Sequence, residues 1–429
     1  MGRTIFNFQR NGWKAVLLSS TTCILLWVLL IIPATFGGQN EVSKEERARR
    51  HVDRGRDLRN MGDLTGSLMD LNEALRLDPY SVDAYVERGL TRGMKKDYDG
   101  SFFDFDRALE IEPDNTFARY FRAQVHIMQN DLEGAYRDLE EVIKRNPEHQ
   151  NAYLRRGMLR LLEEDYEAAK ADFTEILKLD PNHYLALTLR GRSKARMGDR
   201  AGALADFDGA LDLNGRLYQT LYYRGNLQLA RGEINRALGD YDASIEINRR
   251  FPEVLERRGL VYYSLGRYAD ALGDLKKFVR LVETRERVDY PELWIFLTRL
   301  NMGEEAEARQ HLKNHVEERL RSESEGGEPL DPWYLNITRF LLGEIRPTEF
   351  LESAIHEEEK RTLEMRCEAW YYLAQVRLRG YDSTEALRLL RKCIETELDM
   401  FYEYTSARVQ ILKLTGRAGR ASRSSRRGG

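Results

Sequence analysis

A spacing of 34 residues constrains this chain more than any other feature. Gly55, Gly89, Gly157, Gly191, Gly225 and Gly259 stand on one comb of that period, and Ala123 fills the tooth between the second and third. Ser67, Ser101, Ala135, Ala169, Ala203, Ala237 and Ala271 share the period, as do the larger Leu71, Phe105, Leu139, Phe173, Phe207, Tyr241 and Leu275. Pro79, Pro113, Pro147 and Pro181 punctuate it. Such a chain is a row of supersecondary units, each too small to bury its apolar face alone, so neighbours must complete each other's core. Small residues let two antiparallel helices approach closely, and the large residue fills the space beside them. Asp63, Asp97, Asp131, Asp165 and Asp199 fall between the two helices of a unit, where a short acceptor caps the second helix. Proline closes a unit and aims the next.

The succession of small, small, large and proline resembles the tetratricopeptide repeat, over about Ala48 to Arg285 as seven units. The resemblance implies an all-α fold, a right-handed α-solenoid of helix pairs, and a protein-binding role without catalysis. The comb fades after the seventh unit. The chain then reads as an N-terminal segment 1–40, seven repeats over 41–285, a degenerate helix pair over 286–321, a linker over 322–330, a repeat-like C-terminal region with a capping helix over 331–414, and a basic tail over 415–429.

Two charged ladders ride on the comb. Arg54, Arg88, Arg122, Arg156, Arg190, Arg224 and Arg258 each precede the small tooth, and Asp70, Asp104, Asp138, Asp172, Asp206, Asp240 and Asp274 follow 16 residues after each arginine. Antiparallel helices joined by a short turn bring such positions together, so the pattern predicts Arg–Asp ion pairs within or between adjacent units.

Beyond the repeats, the sequence predicts helices over 331–344, 347–361, 367–379, 383–396 and 400–413. Trp333 to Gly343, the run Cys367-Glu368-Ala369-Trp370-Tyr371-Tyr372-Leu373-Ala374, and Phe401-Tyr402-Glu403-Tyr404 are similar to the C-terminal part of bacterial envelope adaptors of the NlpI type. That resemblance implies a membrane-tethered protein that brings envelope enzymes to their targets.

Arg3, Arg10 and Lys14 precede an apolar stretch from Ala15 to Ile32. This is the pattern of an uncleaved membrane anchor or of a signal peptide cleaved before Gly38, and both readings place the body at or across a membrane, in a bacterial envelope or secreted. Cys23 lacks the aliphatic residue that lipidation requires three positions earlier. Lys44, Arg47, Arg49 and Arg50 lie on the far side of the apolar stretch and leave the opposite topology open, a receptor facing the cytoplasm.

The net charge of −3 conceals a segregation: residues 1–40 carry +3, residues 417–429 carry +5, and the body between them carries −11. An acidic body excludes nucleic acid as the expected partner. Phosphate loops, nucleophile elbows and zinc-protease signatures are missing, so neither an enzyme nor a cofactor is expected. His311 and His315 share a helix face, without a third ligand, and read as solvated; Glu357, Glu358 and Glu359 read as helix surface. Cys367 and Cys393 are two buried thiols or one bridge.

A binding surface follows from register. The face of each first helix opposite the small tooth lines the groove of a solenoid, and there it carries Val86, Leu90, Tyr120, Gln124, Met158, Arg192, Tyr222 and Asn226, then Leu229, Glu256 and Tyr263. Such a groove suits a peptide or protein partner, unless the chain's own C-terminal helices or a second copy cover it. Val52 and Arg56 stand where some repeat cochaperones carry Lys and Asn to clamp a terminal carboxylate, which makes that client class improbable.

Overall fold

The computed structural model describes residues 43–282, 285–398 and 401–416. The segment 1–40, with Cys23 and the cleavage position before Gly38, and the basic tail from Arg417 onward lie outside the described residues. The chain divides into two compact units, residues 1–81 and 82–429.

The first unit is a helix pair, α1 (Lys44–Asn60) and α2 (Leu64–Leu77). Ser43 caps α1 by accepting the Glu46 amide at 3.1 Å, and Glu45 and Glu46 sit where the helix dipole favours negative charge. A Cβ on Gly55 would lie 2.7 Å from Leu71 Cγ, which is why this tooth is glycine.

The second unit opens with six further pairs: α3 (Val82–Met94) with α4 (Tyr98–Ile111), α5 (Thr116–Met128) with α6 (Leu132–Arg145), α7 (Gln150–Leu162) with α8 (Tyr166–Leu179), α9 (Tyr184–Arg196) with α10 (Arg200–Leu213), α11 (Tyr218–Ala230) with α12 (Ile234–Ile247), and α13 (Pro252–Leu265) with α14 (Tyr268–Leu281). These consecutive packed pairs are an α-solenoid. Asp97, Asp131, Asp165 and Asp199 each cap the second helix of their pair by accepting an amide three residues on. One further tooth of the comb is conformational. Gly62, Lys96, Asn130, Glu164, Gly198, Gly232 and Gly266 all have positive φ, because the turn inside each pair needs a left-handed residue. Lys96 and Glu164 adopt it at the steric cost that any Cβ incurs there.

After a short 3-10 turn (Arg285–Val288), seven helices complete the described chain: α15 (Asp289–Asn301), α16 (Glu305–Ser324), α17 (Pro332–Leu341), α18 (Pro347–Glu352), α19 (Glu359–Arg379), α20 (Ser383–Ile394) and α21 (Tyr402–Leu414). Their core is aromatic, with Phe350 stacked between Trp333 and Phe340 at centroid distances of 5.2 and 4.4 Å.

Two expectations need correction. The helix expected over 347–361 stops at Glu352, and α19 starts at Glu359. Between them the Thr362 hydroxyl donates to the His356 carbonyl and accepts the His356 amide, both at 2.8 Å, while the Glu358 amide donates to His356 Nδ1 at 3.1 Å. The acidic trio is thus a helix start, where the dipole favours it. The face with His311 and His315 is not solvated as a whole. His311 Nε2 meets Glu292 Oε2 at 2.6 Å, and His315 Nε2 meets Asp289 Oδ1 at 2.8 Å beside the buried Arg319, whose Nε donates to the same oxygen at 3.0 Å. The sequence hid this because both carboxylates come from α15. Among the described residues no group of three or more His, Cys, Asp or Glu is placed to hold a metal ion, and no helix is long and apolar enough to cross a membrane.

Helix α21 folds back onto α13. Val409 joins Leu229, Val254 and Val261 in one apolar cluster. The Tyr402 hydroxyl donates to Glu256 at 2.7 Å, and its ring lies under the Arg257 guanidinium at 4.1 Å. On the other side of α21, Gln410 and Gln375 exchange amide hydrogen bonds at 3.0 and 3.1 Å.

Candidate protein-binding cleft

The charged ladders are fixtures of the helix pairs. In each pair the arginine of the first helix grips the aspartate of the second: Arg54 with Asp70, Arg88 with Asp104, Arg122 with Asp138, Arg156 with Asp172, Arg190 with Asp206, Arg224 with Asp240 and Arg258 with Asp274. In six pairs the closer contacts run from 2.6 to 2.7 Å. Arg122, Arg224 and Arg258 also reach back to Asp106, Asp208 and Asp242 of the preceding pair, at 2.6 to 2.7 Å. A second cation four residues after the ladder arginine completes several pairs: Arg92 on Asp104, Arg160 on Asp172 and Lys194 on Asp206, each at 2.8 Å. Charges satisfied in this way hold helices in register and are not free for a ligand.

The groove residues fare differently from one another. Val86 and Tyr120 are buried in the repeat cores, Tyr120 packed on Phe121 and His149. Leu90 and Gln124 are half-buried, and Met158 is exposed. Glu256 and Tyr263 are taken up by the C-terminal helices, and Leu229 is largely covered by them at 3% exposed. Tyr402 takes the Glu256 carboxylate, Gln375 accepts from the Tyr263 hydroxyl at 3.0 Å, and Leu229 packs with Val409. The C-terminal helices therefore cover the inner face of the seventh repeat. Burial pushes the Glu256 carboxyl above its ordinary range, against the pull of the Tyr402 hydrogen bond.

Where that cover ends, the structure opens a cleft of about 380 Å³, and it brings together Arg192, Tyr222 and Asn226. Its apolar wall comes from Leu161, Leu162, Leu227 and Ala230, and its rim from Tyr166, Tyr223, Arg196 and Thr405 of α21. Each polar group is held. Arg192 lies 5.6 Å from the Tyr223 ring centroid, and Arg196 donates to the Tyr166 hydroxyl at 2.7 Å and pairs with Glu164 at 3.3 Å. The Tyr241 hydroxyl donates to Asn226 Oδ1 at 2.7 Å, which leaves the amide nitrogen of Asn226 for the cleft. Tyr222 is braced edge-on against Phe251 at 5.2 Å. Burial raises the Tyr223 phenol, so it faces the cleft neutral. Pre-set aromatic surface and a few aimed donors are what a binding pocket needs.

Register on the first helices did not single out Arg257 or Thr405. Arg257 adjoins the ladder residue Arg258 but lines the cleft, and its buried Nε has no hydrogen-bond partner among the described residues.

Residues 120–184 and 219–285 match the tetratricopeptide repeat family model. Among solved structures, a tetratricopeptide repeat protein from Parabacteroides merdae is similar at 20% identity over 59% of this chain and 99% of its own, with a TM-score of 0.47. The pilF protein of Pseudomonas aeruginosa is similar at 17% identity over 48% of this chain and 94% of its own, with a TM-score of 0.44. YrrB, described as a tetratricopeptide repeat protein with an unusual peptide-binding site, is similar at 23% identity over 41% and 91%, with a TM-score of 0.35. No curated protein matches the chain.

Proposed function

We propose that this chain, which belongs to the tetratricopeptide repeat proteins, is a non-catalytic scaffold that captures partner proteins through a segment laid in the cleft between α7, α9, α11 and α13. One observation carries the reading. The cleft stays open beside a stretch of groove that the chain covers with its own C-terminus, and it pairs an apolar wall with Arg192, Tyr222 and Asn226. Tetratricopeptide repeats suit protein partners because a row of rigid helices presents side chains at fixed spacing. Tyr222→Ala and Arg192→Ala should each weaken partner capture while the helical circular dichroism is unchanged. Undiminished capture by both variants would refute the cleft as the binding site.

The body is tethered at, or exported across, a bacterial membrane and recruits envelope enzymes there; the cationic start and the apolar run from Ala15 to Ile32 support this. The second reading, a receptor facing the cytoplasm, draws on Lys44, Arg47, Arg49 and Arg50 just beyond that run. Protease accessibility of a C-terminally tagged chain separates them. Digestion once only the outer envelope is opened fits the first, and protection until the inner membrane is breached fits the second.

A further inference from the structure

We infer that the occupant of this cleft is an acidic peptide segment, one that sets a carboxylate between Arg192 and Arg257 and an adjoining apolar side chain against Leu161, Leu162 and Leu227. The inference rests on the binding role of the cleft and adds the chemistry of the partner.

Charge accounting within the cleft leads to it. The ladder arginines are each neutralised by an aspartate, but Arg192 and Arg257 have no carboxylate partner within ion-pair distance among the described residues. Both rest on aromatic rings instead, Arg192 on Tyr223 and Arg257 on Tyr402, which orients a guanidinium without satisfying its N–H donors. The carboxylates nearby are already engaged: Glu164 with Arg196, and Glu256 with the Tyr402 hydroxyl. The buried Nε of Arg257 is an unmet donor in a place where a donor is costly to leave unmet. The Arg196–Glu164 pair at the rim cancels, so Arg192 and Arg257 leave a local cationic cleft on a body carrying −11. The amide nitrogen of Asn226 adds a neutral donor.

The same accounting excludes the most convenient occupant. The chain beyond Gly416 carries five arginines and no acid, and the cleft arginines repel it. A carboxylate suits the fork of a guanidinium, and an apolar neighbour suits the remaining wall.

A pool of short random peptides, each built around a Glu-Leu core or a Lys-Leu core, tests this with the chain as it exists. Peptides retained by the wild-type protein are identified by mass spectrometry and compared with the input. Enrichment of the Glu-Leu set by roughly tenfold is expected, falling by about that factor with Arg192→Ala or Arg257→Met and unaffected by Arg249→Ala, an exposed arginine outside the cleft. Arg257→Met alone could loosen α21, so Arg192→Ala carries the decision if that variant unfolds. Retention should weaken with salt. C-terminally amidated peptides retained equally well would place the recognised charge on side chains, and loss on amidation would place it on the terminal carboxylate; both fit a carboxylate site. Equal retention of the two sets would overturn the acidic class and leave the cleft as a binding site. Enrichment undiminished by Arg192→Ala would move the acidic peptide elsewhere and overturn the site. Retention of neither set would overturn both. Displacement of the acidic peptides only by oligonucleotide, at concentrations where free glutamate peptides fail to compete, would overturn the proposal in favour of phosphate.

Discussion

Asp206→Asn probes the ladder at a point where its energetics can be worked out. The Asp206 carboxylate is 5% exposed and receives Arg190 Nε at 2.9 Å, a second Arg190 nitrogen at 2.7 Å and Lys194 Nζ at 2.8 Å. Asparagine would leave two cations facing a neutral amide, with their side chains only 21% and 20% exposed. Removing one partner of a buried pair costs about 3 to 5 kcal/mol, and an exposed pair is worth about 0 to 1. A pair with a buried anion and cations one-fifth exposed falls near the lower edge of the first range, so a loss of about 3 kcal/mol is expected. Arg190→Met keeps Lys194 on the carboxylate and retains an apolar stem, and should cost about 2 kcal/mol. The double variant no longer strands a charge opposite Arg190 and should cost about 3 to 4 kcal/mol in total, a coupling of about 1 to 2. Asp70→Asn is the contrast: Arg54 is 62% exposed, and the loss should stay under about 1 kcal/mol. Repeat arrays open unit by unit, so native-state hydrogen exchange of α9 and α10 amides is the appropriate readout. Losses under about 1 kcal/mol that simply add would refute the ladder as a structural device.

Four further outcomes follow from individual contacts. Gly191→Ala would place a Cβ 2.7 Å from the Phe207 ring and 3.2 Å from the Ala203 carbonyl, so overpacking should outweigh helix propensity by about 1 to 2 kcal/mol; Gly239→Ala, with nothing within 4 Å, should gain about 0.5 to 1, both read from urea unfolding. Lys96→Gly relieves a residue held at φ 63 and should raise the midpoint for its repeat by the equivalent of about 0.5 to 1 kcal/mol. Burial pushes the Glu403 carboxyl up to about 7 from an ordinary 4.5, so the folded chain holds a proton that the unfolded chain releases. That contribution is complete below about pH 4.5 and drains away as pH rises towards 7, by up to about 3 kcal/mol, and Glu403→Gln should flatten the decline. Cys367 and Cys393 lie 3.1 Å apart with neither exposed, and burial pushes the Cys393 thiol up, so alkylating reagents should label them only after denaturation; rapid labelling of the folded chain would contradict that packing.

What the sequence disclosed and what it concealed divide by distance along the chain. Partners on one helix pair lie 16 residues apart, so the comb and the spacing of Arg190 and Asp206 were legible at once. The left-handed turn position repeats just as strictly, yet Lys96, Asn130 and Glu164 mask it, because a conformation recurs there and a residue type does not. The end of the groove was not legible. It depends on Tyr402 reaching Glu256 across 146 positions and on Tyr263 reaching Gln375 across 112. No periodicity records such contacts, so Glu256 and Tyr263 read as groove residues when they are cap contacts. Arg257 was obscured differently, by standing next to Arg258, which has the opposite fate of full pairing with Asp274 and Asp242.

The cap and the cleft share residues, which links their energetics. A row of repeats leaves an unpaired apolar face at its end, and that face must be covered. Here the cover does more than close the last pair, since α21 also lies along α13 and sets Thr405, in its first turn, beside the cleft. Arg257 belongs to both: its guanidinium sits over Tyr402 of the cap, and its side chain lines the cleft. A ligand that fixes Arg257 in place therefore binds the capped state and not a state with α21 detached. By mass action, such a ligand at a hundred times its Kd would add about 2.7 kcal/mol to the docking of α21. Conversely, Tyr402→Ala should lower the affinity of a cleft ligand although Tyr402 does not line the cleft, because Arg257 would lose the ring that aims it.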